Sequence, residues 1–434
     1  MGLAIFSWLV VALKILKTDL KFNVAISELF SVASLLGGLL FLPFSRRKSA
    51  DSLMRAHRTT RRVKRQILLE EFLSKFGLLK KDLLLAGVHS KYDDSSLYHK
   101  RIFKLKEKKG EERGVLIISF DVFGQLRGKY DIEKIAQDYH LVLEPSWSGY
   151  CTPEILQFLH FDNSKVIVQA AEKLDFDFLA RLGGSLVPVD IGSSDWVDDN
   201  VFNNLNLEKE YDCIMVALWA DYKRHHVLFR AIRQIADPKY KACLVGVPWS
   251  GRTRQDIEEI IGYYGIRDNI EIFERILPSE VNILLNKSKV NVLLSLKEGA
   301  NRSIFEGFFA NVPGIVLREN RGVNKNYITD STGRLIHQGE LKNTLIWFRD
   351  RYVDFHPREW ALQNISCRVS TAKLEEKLRL IARQFDEPWS APIAVKVNRP
   401  EFEYYDDNTG LTKFELESYS LARAAAGEKG FITG

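Results

Sequence analysis

The sequence contains little cysteine, histidine or methionine, with four Cys, nine His and three Met among 434 residues. The cysteines are scattered and form no CxxC pair, which argues against a zinc site and against a disulfide framework: Cys151, Cys213, Cys243 and Cys367. We therefore expect a reducing, cytosolic compartment, with Cys213 and Cys243 buried in apolar runs. HExxH, P-loop, GxGxxG and nucleophile-elbow motifs are also absent, so the matching metalloprotease, NTPase, dinucleotide and hydrolase functions have no support.

Net positive charge is confined to one short segment. Residues 46–65 carry nine Lys or Arg and one acid, Asp51, which gives this basic belt a charge of +8. The whole chain carries +6, so the remainder sums to −2 (6 − 8). We see no aromatic interleaving or binding motif beside the belt, and we therefore expect no nucleic-acid partner.

Long apolar runs are confined to the N-terminus. Residues 2–13 form a short run, and residues 29–44 form a longer one that falls just below the roughly 20 residues of a membrane span. Because the basic belt follows at Arg46, we expect residues 1–48 to be a membrane-associating segment at the cytoplasmic face, attracted by anionic lipid. Spanning, a shallow hairpin and an interfacial position remain open, as does packing of these helices on the protein's own core. The absence of an early cation and of a cleavage site argues against a signal peptide.

The rest of the chain alternates short apolar runs with amphipathic ones, which predicts a parallel α/β sheet. A first set of strands is expected at residues 114–120, 141–144, 166–169 and 186–189. A polar boundary at 200–210 precedes a second set at 213–218, 241–247, 269–273, 290–296 and 314–317. We therefore predict two doubly wound, Rossmann-like domains at 49–205 and 206–375 that face a cleft, followed by a C-terminal helix and tail at 376–434. A hydrophobic content of 46% suffices for two cores.

The segment 290–317 carries the most specific chemistry. A buried strand is followed by a loop with Glu298 and Gly299, and then by a helix that we expect Ser303 to cap. The free N–H groups of a helix start favour a phosphate, and glycine allows the backbone to come close to a ligand. Glu306 lies in the first turn, seven residues beyond Glu298, so both carboxylates can border one anion site. Hydroxyls on both sides of a sugar nucleotide's diphosphate would satisfy these acids.

This stretch resembles the Glu-x7-Glu motif of retaining GT-B glycosyltransferases, in particular family 4 (glycosyl transferases group 1). Residues 311–316 (NVPGIV) and 328–336 (ITDSTGRLI) are similar to further strands and turns of that family. The resemblance implies a GT-B fold and a retaining transfer from a nucleotide sugar. It implies that Glu298 contacts the donor sugar, that Glu306 contacts the ribose, and that three backbone positions meet the diphosphate: Asn301, Arg302 and Ser303.

A second element, residues 217–226 (ALWADYKRHH), follows the first strand of the second domain. In the family that this chain resembles, the same element contains a Gly-Arg pair followed by a Lys. This chain keeps a cation at Lys223, with Arg224 beside it, but has Ala217 and Leu218 in place of Gly-Arg. We expect Lys223 and Arg224 to stabilise charge on the leaving diphosphate without a metal or other cofactor.

The first domain is expected to hold the acceptor. Its clearest loop is 144–152 (EPSWSGYCT), in which Trp147 could stack on a sugar ring and Gly149 allows close approach; packing of Trp147 under the loop is an open alternative. Asp175-Phe176-Asp177 falls within a helical run, so we interpret it as a solvated or capping pair rather than the metal site of GT-A transferases. His140 and His160 are expected to be structural.

The sequence thus predicts a glycosyltransferase that acts on a saccharide or lipid-linked acceptor, of the kind used in surface polysaccharide or glycolipid synthesis. Two alternatives stay open. One is a sugar-nucleotide-binding or membrane scaffold protein that kept the fold without activity, which the missing Gly-Arg pair favours. The other is a different GT-B activity, such as a sugar-phosphate synthase or an epimerase.

Overall fold

The computed structural model describes residues 2–88, 101–119, 122, 126–127, 129–161, 164–299, 301–398, 402–404 and 417–420. Phe120, the last residue of the first predicted strand, lies outside this part. Short 3-10 turns are found at Asp221–Lys223, Arg267–Asn269, Lys325–Tyr327, Gln338–Glu340, Tyr352–Asp354 and Glu417–Tyr419.

Five helices open the chain: α1 (Gly2–Lys21), α2 (Val24–Phe41), α3 (Arg46–Thr59), α4 (Val63–Lys75) and α5 (Lys81–Gly87). Helix α2 packs along α3, where the Ser31 hydroxyl donates to the carbonyl of Ala56 at 2.8 Å. Gly38 permits the close packing of α2 on α3, because a Cβ at this position would lie 2.6 Å from the side chain of Leu53. With a mean hydropathy of 1.9, α2 is long and apolar enough to cross a membrane, and only 11% of it is buried. Among the described helices it is the one candidate of this kind.

The first sheet has five strands in the order β1-β2-β3-β4-β5: β1 (Ile102–Lys106), β2 (Gly114–Ser119), β3 (Tyr139–Glu144), β4 (Val166–Gln169) and β5 (Leu186–Val189). Strand β1 is antiparallel to β2, and the others are parallel. Three helices connect them: α6 (Ile132–Asp138), α7 (Pro153–Leu156) and α8 (Lys173–Leu182).

The prediction that this first sheet is doubly wound is wrong. Its parallel strands follow one another in chain order, and right-handed crossovers in one direction place their helices on a single face. That face packs with α3, α6 and α8 in one core. The opposite face is covered by the C-terminal helix α15 (Cys367–Gln384) through Leu374, Leu378 and Ile381. The predicted domain boundary at residue 375 therefore lies inside α15. This single helix has residues on both sides of that boundary.

The second sheet has six strands: β6 (Cys213–Val216), β7 (Ala242–Gly246), β8 (Ile270–Glu274), β9 (Asn291–Leu293), β10 (Gly314–Leu317) and β11 (Gly333–Ile336). The connecting and flanking helices are α9 (His225–Ile235), α10 (Arg254–Tyr264), α11 (Pro278–Asn286), α12 (Ser303–Phe309), α13 (Leu341–Arg351) and α14 (Pro357–Asn364). The order β11-β10-β9-β6-β7-β8 reverses direction between β6 and β9, so this sheet is doubly wound as predicted. A two-stranded antiparallel sheet, β12 (Lys396–Asn398) and β13 (Phe402–Tyr404), follows α15.

The two domains touch along a set of polar contacts. The Tyr327 hydroxyl donates to Asp195 at 3.0 Å, and the Asn324 amide donates to Asp190 at 3.0 Å. Trp147 of the first domain and Gly299 of the second form an isolated antiparallel β-bridge. These contacts bring the loop after β3 against the loop after β9.

Candidate functional site

Lys223 and Glu298 meet at the point where the strand order of the second sheet reverses. Lys223 ends the turn that follows β6, and Glu298 lies in the loop that follows β9, the neighbouring strand. The Lys223 ammonium donates to both carboxylate oxygens of Glu298, at 2.7 and 2.9 Å. Both side chains are buried, at 7% and 3% exposure. Ligands of open α/β sheets bind at this position, outside the carboxyl ends of the strands.

Tyr222 borders the pair on the first-domain side. The Lys223 ammonium lies 5.0 Å from the centroid of its ring, and the ring meets Trp147 edge-on with centroids 5.6 Å apart. Burial, with the nearby charge of Glu298, raises the pKa of Tyr222 to about 12. The phenol therefore remains protonated at neutral pH and can donate a hydrogen bond.

Arg224 faces different partners from those expected for a diphosphate clamp. Its guanidinium donates to the carbonyl of Leu294 at 3.2 Å and to the side-chain oxygen of Gln338 at 2.5 Å. It also lies 3.6 Å from Asp19 of α1. Its φ of 59° places it in the left-handed region at the start of α9. These contacts assign Arg224 to the anchoring of α1, and none of them involves Glu298 or Glu306.

The start of α12 differs in detail from the prediction. Ser303 is the first helical residue rather than the cap, and Arg302 precedes it with its side chain exposed. The cap is supplied by Asn301, whose side-chain oxygen accepts from the Ile304 N–H at 3.1 Å and from the Ser303 hydroxyl at 3.0 Å. The turn is also tied to β9, because the side-chain amide of Asn291 donates to the Ser303 carbonyl at 2.8 Å. These hydrogen bonds fix the backbone of the turn relative to β9.

Glu306 lies in the first turn of α12, as predicted, and its side chain is partly buried. Burial raises its pKa, and the charge of Arg302 opposes that shift. Among the described residues, no cation lies within ion-pair distance of its carboxylate. A carboxylate in this setting lacks compensation, and donating hydroxyl groups would supply it.

Gly299 is required by a contact between the two domains. A Cβ at this position would lie 1.3 Å from the carbonyl oxygen of Ser146 and 2.8 Å from the N–H nitrogen of Trp147. Gly322 supports the same loop from the other side, where a Cβ would lie 2.2 Å from the Glu298 carbonyl oxygen. The Ser148 N–H donates to that Glu298 carbonyl at 3.2 Å.

The loop 144–152 keeps Trp147 at the junction with 43% of its surface exposed, which leaves the ring accessible. Gly149 has a φ of 97°. Its N–H donates to Asp175 at 2.7 Å, and the N–H of Tyr150 donates to the other oxygen of the same carboxylate at 3.0 Å. Asp175 is therefore a positioning residue for this loop. The predicted helix around Asp175 is confirmed, but its interpretation as a solvated or capping residue is wrong, because Asp175 is buried and binds this loop.

A buried network closes the carboxyl end of the first sheet, and the sequence gave no signal for it. The Ser119 hydroxyl and the Lys396 ammonium donate to opposite oxygens of Glu144, at 2.8 and 2.9 Å. Burial lowers the pKa of Lys396 to about 8. Lys396 comes from β12, 252 residues beyond Glu144, so only the fold brings the two together.

Several further polar and aromatic side chains have structural partners. Trp196 is fully buried, and its neighbour Asp195 accepts a hydrogen bond from the Tyr327 hydroxyl. His140 lies 3.1 Å from Glu387, and the His160 ring contacts the Leu79 carbonyl at 2.6 Å. All four cysteines are buried and form no disulfide, which confirms the predicted burial of Cys213 and Cys243. Among the described residues, no group of three or more His, Cys, Asp or Glu could hold a metal ion.

Comparisons with known proteins agree with this geometry. A family model described as glycosyl transferases group 1 matches residues 197–348, which contain Lys223, Glu298 and Glu306. No curated protein matches the chain by sequence.

Several solved structures are similar. TarM, from S. aureus, is 15% identical with a TM-score of 0.50 over 69% of this chain and 58% of its own. The sucrose-phosphate synthase of Thermosynechococcus elongatus is 16% identical, with a TM-score of 0.49 over 63% of this chain and 74% of its own. A pneumococcal O-GlcNAc transferase, GtfA, in complex with UDP and GlcNAc is 16% identical, with a TM-score of 0.44 over 59% and 55%.

The chain thus spans between half and three fifths of the length of TarM in these superpositions. The likeness to TarM is one of fold. The chain has an α/β, GT-B-like fold built on parallel sheets, and residues 197–348 match the group 1 glycosyl transferase family.

Proposed function

We propose that this chain is a retaining glycosyltransferase that moves a sugar from a nucleotide-diphosphate donor to a hydroxyl of a saccharide or lipid-linked acceptor. The observation that carries the proposal is the buried Lys223–Glu298 pair at the strand reversal of the second sheet. We propose that Glu306 and the start of α12, which follow the Glu298 loop in the chain, border the same position. The match of residues 197–348 to the group 1 glycosyl transferase family supports it.

Lys223 is suited to stabilise the leaving diphosphate. An ammonium has three N–H donors, of which two are directed at Glu298 in this structure. The third can meet a phosphate oxygen in a buried setting, where electrostatic stabilisation of developing charge is strong. Glu298 would hold the hydroxyls of the donor sugar while Glu306 accepts from the ribose. As the bond between the anomeric carbon and the diphosphate oxygen breaks, the acceptor hydroxyl would attack that carbon on the same face and pass its proton to the departing diphosphate. This preserves the anomeric configuration and needs no carboxylate nucleophile.

The acceptor is proposed to enter beside Trp147, whose accessible ring lies next to Tyr222 and Lys297. An aromatic face of this kind suits the apolar face of a sugar ring. We propose that the reaction needs no metal or other cofactor, since Lys223 supplies the positive charge at the diphosphate.

We also propose that the enzyme works at the cytoplasmic face of the membrane. Leu29, Phe30, Leu40 and Phe44 are between 65% and 82% exposed, which is costly in water. Arg46, Arg47 and Lys48 are exposed at the end of this apolar surface, where they suit anionic lipid headgroups. Because α2 is held against α3 along its length, an interfacial position in which the exposed faces of α2 enter the lipid accounts for these contacts best.

The test is a panel of sugar nucleotides incubated with the full chain and with phosphorylated and neutral saccharide or lipid acceptors. We expect one donor to be hydrolysed or transferred, the product to keep the anomeric configuration by NMR, and turnover to survive EDTA. A product with inverted anomeric configuration would overturn only the retaining mechanism. Loss of turnover in EDTA would overturn only the proposal that no metal is needed. Failure of every donor to bind would overturn the proposal.

A catalytically inactive, donor-binding scaffold protein is the second candidate. The engagement of Arg224 with Asp19 and Gln338 favours it, because this cation is then not available for the diphosphate. Saturable donor binding without hydrolysis or transfer in the same panel would select the scaffold.

A further inference from the structure

Five cations from separate segments converge where the basic belt meets the second domain. We call them the cation cluster: Arg58, Arg61, Lys297, Arg321 and Lys325. The Arg321 guanidinium donates to the carbonyls of Arg58 and Thr60, at 2.9 and 3.1 Å, and that of Arg61 donates to the carbonyl of Leu296 at 2.9 Å. Lys297 and Arg321 are paired in a parallel β-bridge. The belt therefore reaches into the domain junction and is not only a surface for lipid.

The Trp147 loop forms the other wall of this cluster. The Lys297 ammonium lies 5.7 Å from the centroid of the Trp147 ring and 3.6 Å from the position that a Cβ of Gly149 would occupy. The same Cβ would lie 3.4 Å from the side chain of Arg58. The cluster is thus next to Glu298 and to the proposed acceptor entrance, on the first-domain side of the candidate donor site.

The acids nearby offset these five charges only in part. Asp175 lies 3.7 Å from Arg321, and its two oxygens also accept backbone N–H groups. Glu28 of α2 accepts from the backbone N–H of Arg61 at 2.7 Å and also pairs with Arg65. Burial and the charge of Asp175 raise the pKa of Glu172, which favours its neutral form. The negative charge of Glu319 acts at longer range on Arg61 and Lys325, where it opposes the lowering of their pKa values by burial.

Several buried donors in this cluster have no acceptor within the described part of the chain. Arg321 is 3% exposed, and its Nε and one terminal nitrogen, Nη2, make no hydrogen bond. The hydroxyl of Ser148, in the Trp147 loop, is also buried without a partner. Burial and the charges of Arg321, Arg58 and Arg61 lower the pKa of Lys297 to about 8. Arg321 is thus buried with two unsatisfied donors, and the other four cations are half-buried around it. Crowded like charges and unsatisfied donors cost folding free energy, and an anion would offset that cost.

We propose that the cation cluster is a second anion site, which binds a phosphate group carried by the acceptor. This inference rests on the proposed transferase function, and it specifies the acceptor as a phosphate-bearing molecule whose reacting hydroxyl lies close to that phosphate. The phosphate belongs either to a lipid headgroup, delivered beside α2 and α3, or to a soluble phosphorylated sugar. The chemistry recognised is the same in both cases: a tetrahedral anion held by guanidinium and ammonium donors.

The experiment titrates the full chain with sodium sulfate, which mimics phosphate and does not itself titrate near pH 8. Calorimetry at pH 8 in two buffers of different ionisation enthalpy measures both affinity and proton uptake. Because the pKa of Lys297 is lowered to about 8 and a bound anion would raise it again, we expect the wild type to take up protons on binding. Lys297→Gln should weaken sulfate binding at least about tenfold and abolish the uptake. Lys325→Gln is the second variant, and Lys64→Gln, an exposed cation of the belt, is the matched control.

Two further arms identify the source of the phosphate. Competition by glucose 1-phosphate would assign a soluble acceptor, and competition by phosphatidic acid vesicles, but not by phosphatidylcholine vesicles, would assign a lipid. Absence of sulfate binding by the wild type, equal binding by Lys297→Gln, or displacement by neither competitor would overturn the proposal. Glu306→Gln should leave sulfate binding unchanged. If the wild-type chain binds sulfate but binds no sugar nucleotide, the proposed transferase function is overturned and the anion site stands.

Discussion

The ammonium of Lys223 and the carboxylate of Glu298 form a bidentate pair, with N–O distances of 2.7 and 2.9 Å, between loops that follow adjacent strands β6 and β9. The two residues are 75 positions apart, and both are buried. The pair lies at the strand reversal of the second sheet, where the donor is proposed to bind.

Removing one partner of this pair should damage both stability and turnover. In Lys223→Met, Glu298 would be left as a buried, uncompensated charge, which costs about 3–5 kcal/mol in comparable cases. We expect a lower thermal midpoint and a loss of donor turnover of about 10²–10³-fold. The double variant Lys223→Met with Glu298→Gln should regain most of the midpoint and none of the turnover. Recovery of turnover in the double variant would show that the pair is structural only.

Glu306 should contribute to donor binding and little to stability. Glu306→Gln keeps the shape of the side chain but removes the charge that strengthens hydrogen bonds from hydroxyls, so we expect donor affinity to fall about tenfold. The thermal midpoint should be unchanged or higher, because the raised pKa shows that the buried charge is unfavourable. Glu359→Gln, an exposed acid of α14, is the control. Equal donor affinity in the two variants would remove Glu306 from the site.

Gly299 should be intolerant of a methyl group. In Gly299→Ala the Cβ would overlap the Ser146 carbonyl, so the loop after β9 must separate from the Trp147 loop. We expect at least about 1–3 kcal/mol of destabilisation, as for other overpacked sites, together with a larger radius of gyration by small-angle scattering. Gly339→Ala, where a Cβ would meet nothing within 4 Å, is the matched control. A Gly299→Ala protein with wild-type midpoint and dimensions would contradict the described junction.

Asp195 should make the domain junction sensitive to pH. Burial raises its pKa to about 6, against 3.8 ordinarily, despite the hydrogen bond from Tyr327. The folded state therefore holds the proton more tightly, and stability is lost as pH rises from about 4 through 6, by up to about 3 kcal/mol. Asp195→Asn removes this loss while keeping an acceptor for Tyr327. The difference in thermal midpoint between Asp195→Asn and the wild type should increase in favour of the variant between pH 4.5 and pH 7. A difference that does not depend on pH would refute the raised pKa of Asp195.

The exposed face of α2 should determine membrane binding. Replacing Leu29 and Phe30 by Ser removes two large apolar side chains, each contributing about 1.5–3 kcal/mol when buried, so partition onto anionic vesicles should fall about 10²-fold. Leu205→Ser, an exposed leucine of the interdomain segment, should bind as the wild type does. We expect alkaline carbonate to release the wild type from membranes, because α2 is held against α3. Resistance to carbonate would instead indicate a spanning helix.

Local pattern was sufficient for much of the second domain. The strands β6 to β10, the turn before α12 and the position of Glu306 in its first helical turn all follow from short-range alternation and helix-start chemistry. Such features depend on residues that lie within one or two turns of each other. The cap of α12 shows the limit of this reasoning, since Asn301 and Ser303 are equally good capping residues and only the loop geometry selects Asn301.

Local sequence pattern was sufficient for the α/β class, for the restart of the strand–helix pattern after residue 210, and for the positions of Lys223 and Glu298 after strands and of Glu306 in the first turn of α12. Tertiary structure alone decided that the first sheet is singly wound and covered by α15, that Arg224 anchors α1, and that Gly299 serves a domain contact. It also brought the basic belt to Arg321 and Lys297. The physical reason is that pairing order and charge partners are set by contacts between residues far apart in the chain, for which local periodicity contains no information.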